Sequence, residues 1–135
     1  MKDPSGLRRP ASTCSSSVQL IAQRREPRYS VPVLSVRIHA ELITKDDTYH
    51  GALWDISRHG ACLQCRRPIP VGIDCQLRLF QHAGPQIIER EVHLIWTDIV
   101  MNAHYVGMSM KEGIPMDNST FLGILICEGK FPSKS

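Results

Sequence analysis

Ser35-Val36-Arg37-Ile38-His39-Ala40-Glu41-Leu42 alternates strictly, with Val36, Ile38, Ala40 and Leu42 on one side and Ser35, Arg37, His39 and Glu41 on the other. Successive side chains of an extended chain point to opposite faces, so this pattern predicts a half-buried strand beginning at about Val33. Lys45-Asp46-Asp47 turns the chain into a second strand, about Thr48 to Asp55, which runs into the corner Asp55-Ile-Ser57-Arg-His-Gly60. Ala61-Cys-Leu-Gln-Cys65 continues beyond the corner, and Pro68, Pro70 and Gly72 mark the next loop. Cys75, Leu77 and Leu79 alternate with Gln76 and Arg78 as a further strand, and His82-Ala-Gly-Pro85 is a turn. Ile88 to Asp98 is the longest strand, with Val92, Leu94 and Trp96 expected on one face and Glu89, Glu91 and His93 on the other. Tyr105 to Met110 is its expected partner. After Pro115 the period lengthens, and Asp117 is expected to cap a helix whose body is Phe121-Leu-Gly-Ile-Leu-Ile126. The expected fold is therefore mainly β: a small six-stranded antiparallel β-barrel whose C-terminal α-helix covers an open end. Closure removes the exposed strand edges that a small open sheet would carry.

The 135 residues suffice for one domain with its own core. Residues 1–17, rich in Ser, Pro and Arg, are expected to be a disordered tail. Residues 18–32 are a loop carrying arginines, 33–127 the barrel and helix, and 128–135 a flexible C-terminus. A formal net charge of +3 is too small for a dedicated nucleic-acid binder, and the positive charge is local, at Arg8-Arg9, Arg24-Arg25, Arg28, Arg58 and Arg66-Arg67. Clusters of this size suit a small phosphodiester. Five cysteines without even spacing, and no apolar run of signal-peptide or membrane-spanning length, lead to the expectation of a soluble cytoplasmic protein.

Two motifs lie about thirty residues apart. Gln23-Arg24-Arg25-Glu26-Pro27-Arg28 supplies cationic forks, and Asp55-Ile-Ser57-Arg-His-Gly60 supplies a carboxylate, a hydroxyl and a glycine. An arginine fork pairs with phosphate oxygens or with guanine O6 and N7, and its flat face stacks on a base. An ionised carboxylate accepts from the guanine N1 and N2 donors, and the i, i+2 spacing of Asp55 and Ser57 puts both side chains on one face of a strand. Gly60 is expected to allow a backbone conformation closed to other residues and a close approach of the ligand.

The order and separation of Arg24-x-x-x-Arg28 and Asp55-x-Ser57-x-x-Gly60 resemble the signature of the PilZ domain family, and the resemblance runs from about Arg24 to the end of the last helix. Trp96, followed by Tyr105-Val-Gly107-Met-Ser-Met110, is similar to that family's Trp-to-Gly segment. The resemblance implies a receptor for cyclic di-GMP, bound as one molecule or a stacked pair by Arg24, Arg25, Arg28, Asp55, Ser57 and Gly60. It implies a non-enzymatic bacterial signalling module with no other cofactor, whose N-terminal loop orders over the barrel and whose output passes to a partner protein in motility, biofilm or exopolysaccharide control. The alternative is an adaptor of the same fold that acts by protein contact alone.

Other chemistries are less well supplied. Cys62-x-x-Cys65 lacks a second pair at metal-ligand spacing, and a three-residue separation on one strand points the thiols to opposite faces. Asp55, Ser57 and His59 have the letters of a triad, but side chains within one short turn do not form the required relay. Two Trp, three Tyr and three Phe, only Tyr29 among them near the arginines, are few for stacking a single-stranded nucleic acid. The methionines Met101, Met108, Met110 and Met116 are expected to fill the core.

Overall fold

The computed structural model describes residues 26–134. Within them the chain forms β1 (Arg28–Ser30), β2 (His39–Ile43), β3 (Thr48–Ser57), β4 (Gly60–Cys65), β5 (Asp74–Phe80), β6 (Ile87–Val100), β7 (Ala103–Met110), α1 (Phe121–Cys127) and β8 (Ser133–Lys134). Neighbouring strands run β2-β5-β6-β7-β4-β3, and β3 returns to β2, which closes a six-stranded antiparallel barrel. The expected fold is the one observed. Strand β3 is long enough to serve two partners along one edge: Thr48 to Ala52 pair with β2, then Asp55 and Ile56 pair with β1.

That division of β3 explains why the first barrel strand starts later than the alternation suggests. Val31 N–H still bonds Trp54 O at 2.9 Å, after which Pro32 O accepts from Ser35 and Val36 N–H in a turn, leaving Leu34 fully exposed. The chain uses residues 32–38 to step from one half of β3 to the other. The alternation itself holds, for Ile38, Ala40 and Leu42 are all buried. Around them the core gathers Leu53, Ile56, Ala61, Leu63, Leu77, Leu79, Val92, Leu94, Val106 and Met108. Leu122 of α1 joins the same core and brings the helix onto the barrel.

Four expectations change. Trp96 does not share a face with Val92 and Leu94: a register shift between Leu94 and Trp96 turns it outward, and it is 41% exposed. Met108 and Met110 are core residues, but Met101 is almost fully exposed at the β6–β7 turn, where it and Asn102 have φ of 51° and 70°. The helix cap is Thr120, whose hydroxyl accepts from Gly123 N–H at 3.0 Å, while Asp117 accepts from Ser119 N–H and its hydroxyl. A Cβ on Gly123 would lie 1.7 Å from Asp117 O, so the helix starts hard against the preceding backbone. Finally, the stretch expected to be a flexible C-terminus is built into the fold. Phe131 is 3% exposed, Pro132 O accepts from Ser30 N–H at 2.8 Å, and β8 pairs with β1. A buried aromatic and the pairing with β1 together dock this stretch.

Candidate ligand-binding site

The second motif forms the β3–β4 hairpin. Ser57 and Gly60 are its last cross-strand pair, and Arg58 and His59 make the two-residue turn. Two-residue hairpins favour turns with positive φ because these match the twist of the strands. Neither Arg58 nor His59 has positive φ, so this turn is held from outside. Met110 N–H bonds His59 O at 3.0 Å, and Ile114 N–H bonds Arg58 O at 2.8 Å. Gly113 is needed between these contacts, since a Cβ there would lie 2.7 Å from Arg58 Cγ and 2.9 Å from His59 Nε2.

Cross-strand pairing decides which side chains share a face. Leu53 with Leu63 and Ile56 with Ala61 point into the core, so Asp55 with Cys62 and Ser57 with Gly60 occupy the opposite face. A register shift between Leu53 and Asp55 makes this possible, for without it the pleat would carry Asp55 inward with Leu53. Asp55 and Ser57 are 5% and 4% exposed, and the Ser57 hydroxyl donates to Gly60 O at 3.4 Å. On β1, Ser30 stands opposite Asp55 and Tyr29 opposite Ile56. Tyr29 packs against the core, so Arg28, two residues from Ser30, projects on the face of Asp55 and Ser57. The structure thus brings Arg28, Asp55, Ser57 and Gly60 together on one face of the sheet, with Arg28 exposed and the other three buried. Arg24 and Arg25 lie outside the described residues.

The same face extends across the sheet as a low floor. Gly60 pairs with Ser109, Cys62 with Gly107, and Gly107 in turn with Trp96. The Trp96 indole lies over Gly107, where a Cβ would come 2.1 Å from its Nε1. Exposed arginine at one side and a partly exposed indole at the other therefore bound a strip of small residues. Farther along, Trp54 meets Tyr105 edge-on at 5.2 Å, and Gln64 Nε2 donates to the Tyr105 hydroxyl at 3.0 Å.

Two features depart from the sequence expectation. Gly60 does not have positive φ; what favours glycine is space, because a Cβ would meet Ser57 Oγ at 3.3 Å and Met108 O at 3.4 Å. Glu26 and His59, which the motifs leave unspecified, form a contact between them. One Glu26 oxygen accepts from His59 N–H at 3.2 Å and the other pairs with His59 Nδ1. The only sequence hint is that both fall inside the motifs. The same contact turns the His59 ring toward Glu26, while the Ser57 hydroxyl is directed to Gly60 O. Cys65 belongs to the core, and burial pushes its thiol up to about 11; Cys62 lies on the opposite face. Among the described residues no group of three or more His, Cys, Asp or Glu is arranged to hold a metal, and no helix is long and apolar enough to cross a membrane.

The fold is shared with solved structures. The inhibitor of motility MotI/DgrA of Bacillus subtilis superposes with a TM-score of 0.58 at 12% identity, covering 79% of this chain and 51% of that one. Escherichia coli YcgR in complex with c-di-GMP gives 0.58 at 15% identity, covering 80% of this chain and 46% of that one. The isolated PilZ domain of the same YcgR with c-di-GMP gives 0.57 at 15% identity, with 80% and 95% covered. The chain spans about half the length of the first two. No curated protein matches the sequence significantly. The PilZ domain family model matches residues 22–125, a stretch that holds both motifs, the whole barrel and most of α1, and by that match the chain belongs to the PilZ domain family.

Proposed function

We propose that this protein is a cytoplasmic receptor for cyclic di-GMP that has no catalytic step of its own. Arg24, Arg25, Arg28, Asp55, Ser57 and Gly60 contact the ligand, as one molecule or a stacked pair, and ordering of the N-terminal segment passes the signal to a partner protein in motility or biofilm control. The observation that carries this reading is the β1–β3 register, in which Ser30 stands opposite Asp55 and Arg28 shares the face of the second motif. Family membership and the c-di-GMP bound to Escherichia coli YcgR support it further.

The chemistry is complementary on both sides. Arginine forks meet phosphates or guanine O6 and N7, and the Asp55 carboxylate meets guanine N1 and N2. Gly60 and Cys62 put little side-chain bulk between Arg28 and the Trp96 indole, which itself covers Gly107. Charge-assisted hydrogen bonds contribute about 1.5 to 3 kcal/mol each, so a few sustain the roughly −8 kcal/mol of a micromolar complex after ordering costs. The alternative, an adaptor that needs no ligand, draws support from the β6–β7 tip, where Ile99, Val100 and Met101 are 62%, 48% and 94% exposed.

Titration calorimetry tests the receptor reading. Cyclic di-GMP should bind saturably, GTP should not compete, and Arg28→Ala should weaken binding at least about tenfold. No heat from folded wild type up to about hundreds of micromolar ligand, below the roughly −5 kcal/mol such a limit corresponds to, turns the account to the adaptor.

A further inference from the structure

We propose that Glu26 and His59 form a clamp that fixes the start of β1, and with it Arg28, against the β3–β4 turn before ligand arrives, and so sets the affinity of the site; both are positioning residues, and the affinity part rests on the receptor reading above. Glu26 holds His59 at two points, its backbone N–H at 3.2 Å and its ring Nδ1. The glutamate side chain is 22% exposed and the imidazole 39%, so the contact is partly withdrawn from water. On the other side of the ring, Nε2 rests against Gly113. Gly113 is itself secured, since its carbonyl accepts from the Arg90 guanidinium at 3.2 and 3.4 Å. The ring is therefore held between a carboxylate from the first motif and a backbone anchored to β6.

The position of Glu26 gives the contact its leverage. Pro27 follows it, and a proline fixes its own φ and restricts the residue before it, so a single stiff residue separates the clamp from Arg28. Pinning Glu26 thus orients the start of β1, the strand that carries Arg28 to the face of Asp55 and Ser57. A binding group ordered in advance spares the complex that ordering cost.

Electrostatics alone predicts the opposite sign. Glu26 is an anion beside cations that are to receive an anionic ligand, so removing it should tighten binding unless its positioning role dominates. The test is titration of wild type, Glu26→Ala, His59→Ala and the double variant with cyclic di-GMP, together with hydrogen exchange of the His59 amide in ligand-free protein by NMR. The clamp requires about tenfold weaker binding in Glu26→Ala, a smaller loss in His59→Ala, which keeps the backbone N–H contact, and no loss in the double beyond that of Glu26→Ala, because every contact of the clamp runs through the glutamate. It also requires the His59 amide to exchange at least about tenfold faster in Glu26→Ala while thermal unfolding stays close to wild type. Equal or tighter binding by Glu26→Ala overturns it, as do losses that multiply in the double variant. If wild type binds no cyclic di-GMP, the receptor reading falls and the exchange experiment judges the clamp alone: faster exchange upholds it and unchanged exchange overturns it.

Discussion

Substituting alanine for Gly107 should displace Trp96 from the floor of the site. The new Cβ would lie 2.1 Å from indole Nε1, 2.2 Å from Cε2 and 2.6 Å from Cζ2, separations that no small adjustment relieves. Gly107 sits in a strand paired on both sides, with Cys62 and with Trp96, so the backbone is less free to yield than the side chain. Trp96 is 41% exposed, so roughly three-fifths of its surface is covered. For a side chain of about 250 Å² that is about 150 Å², and at about 25 cal/mol per Å² full loss of the cover corresponds to about 3.7 kcal/mol. The indole will find another resting place that recovers part of this, so the expected destabilisation is about 1 to 3 kcal/mol, the usual range for overfilling a packed position. Urea unfolding followed by tryptophan emission in a Trp54→Phe background makes Trp96 the reporter. The native emission of Gly107→Ala should shift to the red, and the unfolding midpoint should fall. An unshifted native spectrum with a loss below about 0.5 kcal/mol, the level of an ordinary surface substitution, would refute the packing of the indole on Gly107.

Three further expectations concern the end of the chain and the core. Phe131 is 3% exposed, so Phe131→Ala should cost about 3 to 5 kcal/mol of unfolding free energy; a loss below about 1 kcal/mol in urea titration would mean that the terminus is not docked. Burial raises the Cys65 thiol from 9.0 to about 11, so about one molecule in a thousand carries the thiolate at pH 8. Cys127, which is exposed, should be alkylated at that pH while Cys65 is spared, as peptide mass spectrometry would reveal; equal labelling of the two contradicts the burial. Because the folded-state value lies above the unfolded one, the contribution of Cys65 to stability is complete below about pH 9 and is lost as the pH rises through about 11.

Much of the barrel was legible because its strands alternate. Ile38, Ala40 and Leu42, or Leu77 and Leu79, name their inner face by period two alone, and the hairpin corner at Ser57 to Gly60 sits where the motif ends one strand and begins the next. The reading failed where the period breaks. A register shift between Leu94 and Trp96 sends the indole outward, and another between Leu53 and Asp55 keeps the carboxylate out of the core. A bulge adds one residue to a strand without any obligatory change in composition, so nothing local announces it. The helix start moved from Asp117 to Thr120 for a similar reason, since both residue types cap and the close packing of Gly123 decides between them.

The sequence by itself determined the mainly β barrel, the C-terminal helix and the two polar motifs, because alternation, turn residues and short-range spacing are local properties of the chain. Only the tertiary structure decided that Arg28 stands on the face of Asp55 and Ser57, that Glu26 reaches His59, that Gly107 seats Trp96 and that Pro132 and β8 tie the chain beyond Phe131 to β1. These relations join residues distant in sequence, and their geometry follows from strand register and from the volume each side chain leaves its neighbours, which exist only once the barrel has closed.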